Sequence, residues 1–316
     1  MKNCLGEKMD VVIFGSIAYD SVESPAGAIV EGLGGSATFA GVSACRLNQR
    51  LGGELQIGTV AVVGKDFLES DIERLQGHGL DVSAIERSAD LTFRWVARYG
   101  EDFGDVETLD TQVNCIIGYS PKVPEEWRSA TVLVVANMAP MLQLSVLDQM
   151  DDSALVLADS MELWIAEELP QVRKVIARSD VLVLNEVEAE TISGRSDYGE
   201  AAEVLLSMIK KDGVVIIKLG AHGSIALLDG EHIHVAAVPG CSPVDPTGCG
   251  DSYIGTLASC IAINIAAGKS PYTNMRDSMV DATVAASLAL EGFSIKAIEA
   301  AGLVEYSRRS AAVQTT

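Results

Sequence analysis

Two carboxylates bracket the run Asp245-Pro246-Thr247-Gly248-Cys249-Gly250-Asp251, whose two glycines keep side chains out of the way. Apolar residues at Ile254, Leu257, Ala258, Ile261, Ala262 and Ile265 then recur at helical spacing, so the run opens a helix of about fifteen residues. A helix beginning near Cys249 aims its first free N–H groups, and the positive end of its dipole, at whatever lies before the loop. An anion fits there. Asp251 sits in the first turn, where the dipole favours its charged form, and it can take a proton from a hydroxyl brought beside the anion. A glycine-containing turn with an acidic cap explains the same letters, so the loop alone does not decide.

Other chemistry-bearing residues fall at small-residue turns along the chain. Asp20 follows Gly15-Ser16, and Gly34-Gly35 lead into a helix of small residues over 38–47. Asn185 and Glu188 follow the apolar run 181–184, while Lys218, Gly220 and Gly223 follow the run 214–217. Gly32, Gly34 and Ala37 fit G-x-G-x-x-A with Glu54 about twenty residues on, a dinucleotide pattern. The pattern requires a buried strand in front of it, and 24–31 does not read as one. Neither a G-x-x-x-x-G-K-[ST] loop nor a G-x-S-x-G elbow occurs.

The elements that must carry these residues alternate. Short apolar runs at 11–14, 60–63, 132–135, 155–157, 181–184 and 214–217 read as central parallel strands. Helices are expected at 66–76, 140–150, 162–178 and 200–211, which makes an α/β doubly wound, mainly parallel sheet flanked by helices. Phe93, Trp95, Ala97 and Tyr99 share one face of a period-two stretch, and with a returning strand at 108–117 they form a hairpin. This segment, 92–117, is expected to join 17–31 as a small β-sheet lid. No repeat or linker divides the chain, so 1–316 is read as a single domain with a loose leader at 1–8.

Composition narrows the partners. The chain of 316 residues carries 23 Lys and Arg against 44 Asp and Glu, a net charge of −21, which argues against nucleic acid or an anionic membrane. Any nucleotide must then be held by local dipoles, glycines and a metal ion. Six cysteines without a C-x-x-C pair read as free thiols of a cytoplasmic protein. Cys249 is either a thiol activated by the helix N-terminus or a buried filler. The apolar stretch 253–267 is too short to span a membrane. His232 and His234 share a strand face but lack a third ligand.

The order of these sites resembles the ribokinase, or PfkB, family of carbohydrate kinases over residues 10–295. Its signature D-T-x-G-A-G-D is matched by the Asp245 to Asp251 run, with Pro246 and Cys249 as departures. The resemblance implies a ribokinase-like fold and an ATP- and Mg²⁺-dependent kinase acting on a sugar hydroxyl. Asp251 would be the catalytic base, and the N–H groups of Gly248, Cys249 and Gly250 the anion hole. Asn185 and Glu188 match N-x-x-E and would position Mg²⁺ and phosphate through water. Gly220 and Gly223 would lie near the nucleotide, where Lys218 either touches a phosphate or is a surface charge. Asp20, Gly34 and Gly35 would bind the sugar, with Phe39 standing where sugar kinases commonly carry Asn. Phe39 leaves room for a nucleoside, whose base could use an aromatic neighbour. A K⁺ site near Asp245 and 285–292 also follows from the resemblance, and a two-part lid would suit pairing across a homodimer. A non-catalytic sugar- or nucleotide-binding regulator and an NAD-dependent enzyme are the competing functions.

Overall fold

The computed structural model describes residues 8–315; Cys4 and the leader, up to residue 7, lie outside the described residues. The chain runs β1 (Val11–Phe14), β2 (Ala18–Ser24), β3 (Gly27–Gly34), α1 (Ser36–Leu51), β4 (Ile57–Val63), α2 (Glu69–Gly77), β5 (Leu80–Asp81) and β6 (Ile85–Arg87). It continues through β7 (Phe93–Tyr99), β8 (Val106–Gln112), β9 (Val132–Val135), α3 (Pro140–Leu147), β10 (Leu155–Ala158), α4 (Glu162–Ile176), β11 (Val181–Asn185) and α5 (Glu186–Ser193). The last part is α6 (Tyr198–Leu206), β12 (Val214–Lys218), β13 (Ser224–Leu228), β14 (Glu231–Val235), α7 (Cys249–Ala266), α8 (Met275–Leu290), α9 (Lys296–Ala300) and α10 (Leu303–Ala312).

The main sheet has the order β14-β13-β12-β11-β10-β9-β1-β4-β5, with β6 also pairing β4. From β12 across to β4 every pairing is parallel, and only β13 and β14 run antiparallel. Strands buried on both faces read as near-continuous apolar runs, and these do, apart from Thr59 in β4 and the end positions Asn185 and Lys218. Val11, Ile13, Val132, Val134, Val181 and Val183 point into one core, with α1, α7 and α8. Val12, Phe14, Leu133, Val135, Leu182 and Leu184 point into the other, with α3, α4, α5 and α6. The fold is the expected doubly wound, ribokinase-like α/β arrangement.

A second sheet of four strands has the order β3-β2-β7-β8, with β2 and β7 parallel and the outer pairs antiparallel. It joins the two segments paired in the sequence reading. The returning strand is shorter than expected: β8 ends at Gln112, and a 3₁₀ turn, Asn114–Ile116, follows with Asn114 at φ +44°. The helix expected from Asp66 begins at Glu69, because the Asp66 carboxylate instead accepts from the N–H and hydroxyl of Thr92 and from Arg94. Those bonds anchor β7 to the main body.

Two joints set the site. The Ser259 hydroxyl of α7 donates to the Ala44 carbonyl of α1 at 3.2 Å, and Ser224 Oγ meets Tyr253 Oη at 3.0 Å. With α1 and α7 fixed side by side, their N-termini open at the same edge as the carboxyl ends of β10, β11 and β12. Open α/β sheets place ligands at that edge.

Candidate active site

Asp251 lies in the first turn of α7, whose N-cap Gly248 has φ +79°. On one side of it stand Lys218 at the end of β12, Asp159 just past β10 and Glu188 in the first turn of α5. Lys218 Nζ is 3.5 Å from Asp159 Oδ2. Burial alone would lower the Lys218 ammonium, but Asp159, Glu188 and Asp251 outweigh it and hold it above the usual lysine range. The lysine is thus a charged, inward-facing group and not a surface residue. Burial pushes Asp159 up, against the pull of Lys218 and the Ser160 N–H. Glu188 is raised by burial and then by the neighbouring Asp159.

On the other side stands Asp20, 7 % exposed, whose Oδ2 accepts from the Gly35 N–H at 3.3 Å. A Cβ on Gly34 would overlap that carboxylate, so the glycine is what admits it. Burial, with the charges of Asp245 and Asp251, raises Asp20 to about 7. Asp251 is also raised to about 7, by burial and by Asp159, with Lys218 opposing. Asp251 therefore sits between a lysine–carboxylate cluster and a second carboxylate gripped by a backbone N–H. A carboxyl group that titrates near neutrality can move a proton at physiological pH.

The anion hole differs in one member from the sequence expectation. The Cys249 N–H donates to the Pro246 carbonyl at 3.2 Å, and the Ser252 N–H to the Gly248 carbonyl at 2.8 Å. Among the described residues, the N–H groups of Gly248 and Gly250 make no such bond. The Cys249 thiol is pushed up by burial and by Asp245 and Asp251, which is the inert filler and not the activated nucleophile.

Asn185 and Glu188 also do structural work: Asn185 Oδ1 accepts from the Glu188 N–H and Glu188 Oε2 from the Asn185 N–H, both at 2.8 Å, a reciprocal capping box. One carboxylate oxygen of Glu188 remains for the site. Gly220 (φ +53°) and Gly223 (φ +92°) shape the turn after β12, and the Leu219 N–H donates to the Gly223 carbonyl. Asp245 is 2 % exposed and accepts from the Thr247 N–H at 2.9 Å. The N–H groups of Val244 and Asp245 both donate to the Leu290 carbonyl, which ties this loop to the end of α8.

Phe39 is 2 % exposed, and its ring lies where a side chain on Gly248 would go. It borders a pocket of about 10 Å³ with Asp20, Asp245 and Thr247, but its face is spent on the loop. A different aromatic flanks Asp20: Trp95 is its register partner on β7, so both side chains project from one face of the small sheet. On the same strand Tyr99 Oη meets Thr247 Oγ1 at 3.2 Å, joining the small sheet to the loop before α7. Gly32 and Gly34 lie in β3, antiparallel to β2 and outside the main sheet, so the dinucleotide context of a buried parallel strand is not met.

Asp159 was not among the sequence candidates. It follows the apolar run 155–157 in the same way that Asn185 follows 181–184, so the end-of-strand position was the available signal.

A buried carboxylate at a glycine-opened helix N-terminus, on a doubly wound sheet, suits a phosphotransferase acting on hydroxyl groups. The model of the pfkB family carbohydrate kinases matches residues 4–294, and the chain belongs to that family. Among curated relatives, a cytidine kinase of Thermococcus kodakarensis is 28% identical over 253 residues, 78% of this chain and 86% of its own length. A putative ribokinase II of E. coli, solved with ATP and Mg²⁺, shares the fold with TM-score 0.76 at 19% identity, over 95% of this chain and 98% of its own. A nucleoside kinase of Burkholderia thailandensis in complex with inosine gives TM-score 0.75 at 18% identity, covering 96% and 97% of the two chains. The protein is a kinase.

Proposed function

We propose that the protein transfers the γ-phosphoryl group of ATP, with Mg²⁺, to a hydroxyl on a sugar ring, free or within a nucleoside. The observation that carries this is the position of Asp251, whose charge is felt by Lys218 on one side and Asp20 on the other. Asp20 and the Gly34-Gly35 turn grip the acceptor's hydroxyls. Asp251 takes the proton of the attacking hydroxyl as the phosphoryl group arrives. The N–H groups of Gly248 and Gly250, with the Lys218 ammonium, meet the charge on the migrating group, each such donor being worth about 3–4 kcal/mol in comparable sites. Glu188 and Asp159 are hard oxygen donors of the kind Mg²⁺ takes, directly or through water. The bound ion would neutralise the triphosphate in a chain whose own charge repels it. K⁺ beside Asp245 belongs to the same proposal.

The small sheet is a lid in this account. Closure of the sheet over a bound acceptor would exclude water. A nucleoside is favoured over a free sugar by Trp95, which stands half-buried beside Asp20 with its Nε1 donating to Thr108 at 3.2 Å. The free edges β3 and β8 suit pairing with a second copy, a dimer that sedimentation would detect. Among the described residues no helix is long and apolar enough to cross a membrane; a cytoplasmic place fits the proposal.

The test is a phosphoryl-transfer screen of pentoses, hexoses and nucleosides with ATP and Mg²⁺, with and without K⁺. A phosphorylated product from the wild type, and none from Asp251→Asn, is expected. Binding of nucleotide without product across the whole panel would instead support the regulator.

A further inference from the structure

A cavity of about 280 Å³ lies among the C-terminal half of α1, α8, α9 and α10, away from every residue of the catalytic site. Arg46 stands eleven residues beyond Gly35, about 16 Å along α1. Leu288, Ile298 and Tyr306 make its apolar walls, while Ser43, Arg46 and Arg50 bring donors to it.

Those donors are not fully used. Ser43 is 2 % exposed, and its buried hydroxyl has no hydrogen-bond partner. Arg50 stacks its guanidinium 4.2 Å over the Tyr306 ring and pairs with Asp281 at 2.7 Å, yet its Nε is buried without an acceptor. Arg46 gives one nitrogen to the Ala301 carbonyl at 2.6 Å and holds Gln49 Oε1 with the other only at 3.4 Å. Buried donors without acceptors are costly, and their common want is an oxygen-rich anion. Aromatic and aliphatic walls beside a fork of arginine N–H groups suit a carboxylate or phosphate on a small apolar body.

We propose that this cavity is a binding site for a small organic anion, joined to the catalytic loop through α8. Ala285 and Leu288 line it, and two residues further on the Leu290 carbonyl holds the N–H groups of Val244 and Asp245. An occupant that fixes α1 against α8 thereby steadies the loop that carries Asp245.

Calorimetric titration of the full chain with benzoate and with phenyl phosphate, using benzyl alcohol as the neutral control, tests the site. Saturable binding of one anion is expected, equal in wild type and Lys218→Ala, and at least tenfold weaker in Arg46→Ala and several-fold weaker in Ser43→Ala. Whichever anion binds more tightly fixes the headgroup. Failure of both anions to bind, equal binding by benzyl alcohol, indifference to both α1 substitutions, or loss in Lys218→Ala would each overturn the proposal. Occupancy should also slow amide exchange at Val244 and Asp245; unchanged exchange there would refute the link through α8.

Discussion

Lys218 and Gly250 share one space: a Cβ on Gly250 would stand 2.7 Å from the Lys218 Nζ, with Asp159 Oδ2 at 3.8 Å. The ammonium is therefore packed against the first turn of α7, beside the N–H groups that face the anion. An alanine at 250 suits the helix but must displace the lysine. Gly250→Ala should cost about 10–100-fold in kcat with KM for the acceptor little changed, because the lost contact is one made to the migrating group. Steady-state kinetics on the acceptor found by screening would check it, and an unchanged kcat would remove Lys218 from the anion site.

Asp251, raised to about 7 by burial and by Asp159, must be ionised to act as base. Below pH 7 its protonated fraction grows, so kcat/KM should fall about tenfold per pH unit on the acid side. Lys218 opposes the rise, so Lys218→Met should move that limb above 7 as well as lower its plateau. A pH–rate profile of both proteins decides the point; a limb near 4 in both would mean that burial does not raise the base above the ordinary carboxylate range.

Much of this was legible because apolar runs in parallel strands and helical stripes are written one residue at a time. Val181 to Leu184 announced a central strand, and Asn185 after it a ligand edge. The strand within 92–117 was readable from the period-two face of Phe93, Trp95, Ala97 and Tyr99, and its union with 17–31 was an expectation that the pairing of β2 with β7 meets. What was not legible depends on which way a buried side chain turns. Phe39 could face a ligand or a backbone, and only the missing side chain of Gly248 makes room for its ring. Lys218 reads like any surface lysine until the end of β10, α5 and α7 bring Asp159, Glu188 and Asp251 around it. The Cys249 N–H was counted as free because its bond to Pro246 lies within a tight turn that sequence spacing does not reveal.

Asp20 carries a stability cost that depends on pH. Its folded value is about 7 against an unfolded value near 3.9, raised first by burial. Below pH 4 both states hold the proton and the folded state bears no penalty. Between 4 and 7 the unfolded state releases it first, so stability is lost as pH rises and the loss is complete above 7. Asp20→Asn keeps an acceptor for the Gly35 N–H and removes the charge. It should be more stable than wild type at pH 8 by roughly 1–3 kcal/mol, equal to it near pH 4, and weak in acceptor binding. Urea midpoints at the two pH values measure the difference, and a gap that is the same at both would exclude the carboxylate as its source.

Phe39 supports the loop that its ring covers, and the consequences differ from those of an acceptor contact. Phe39→Ala opens a cavity in a site only 2 % exposed and should cost about 3–5 kcal/mol. Phe39→Leu keeps most of the volume and should cost less, about 1–2 kcal/mol, while leaving Gly248 less firmly held. With the Gly248 N–H in the proposed anion hole, the leucine variant should lose kcat and keep the acceptor KM. Trp95→Ala should do the reverse, raising KM for a nucleoside far more than for a free sugar, if the indole, the register partner of Asp20, stacks on the acceptor as proposed. Paired kinetics of the two variants assign each aromatic its side. A KM effect in Phe39→Leu with kcat intact would return the acceptor contact to Phe39.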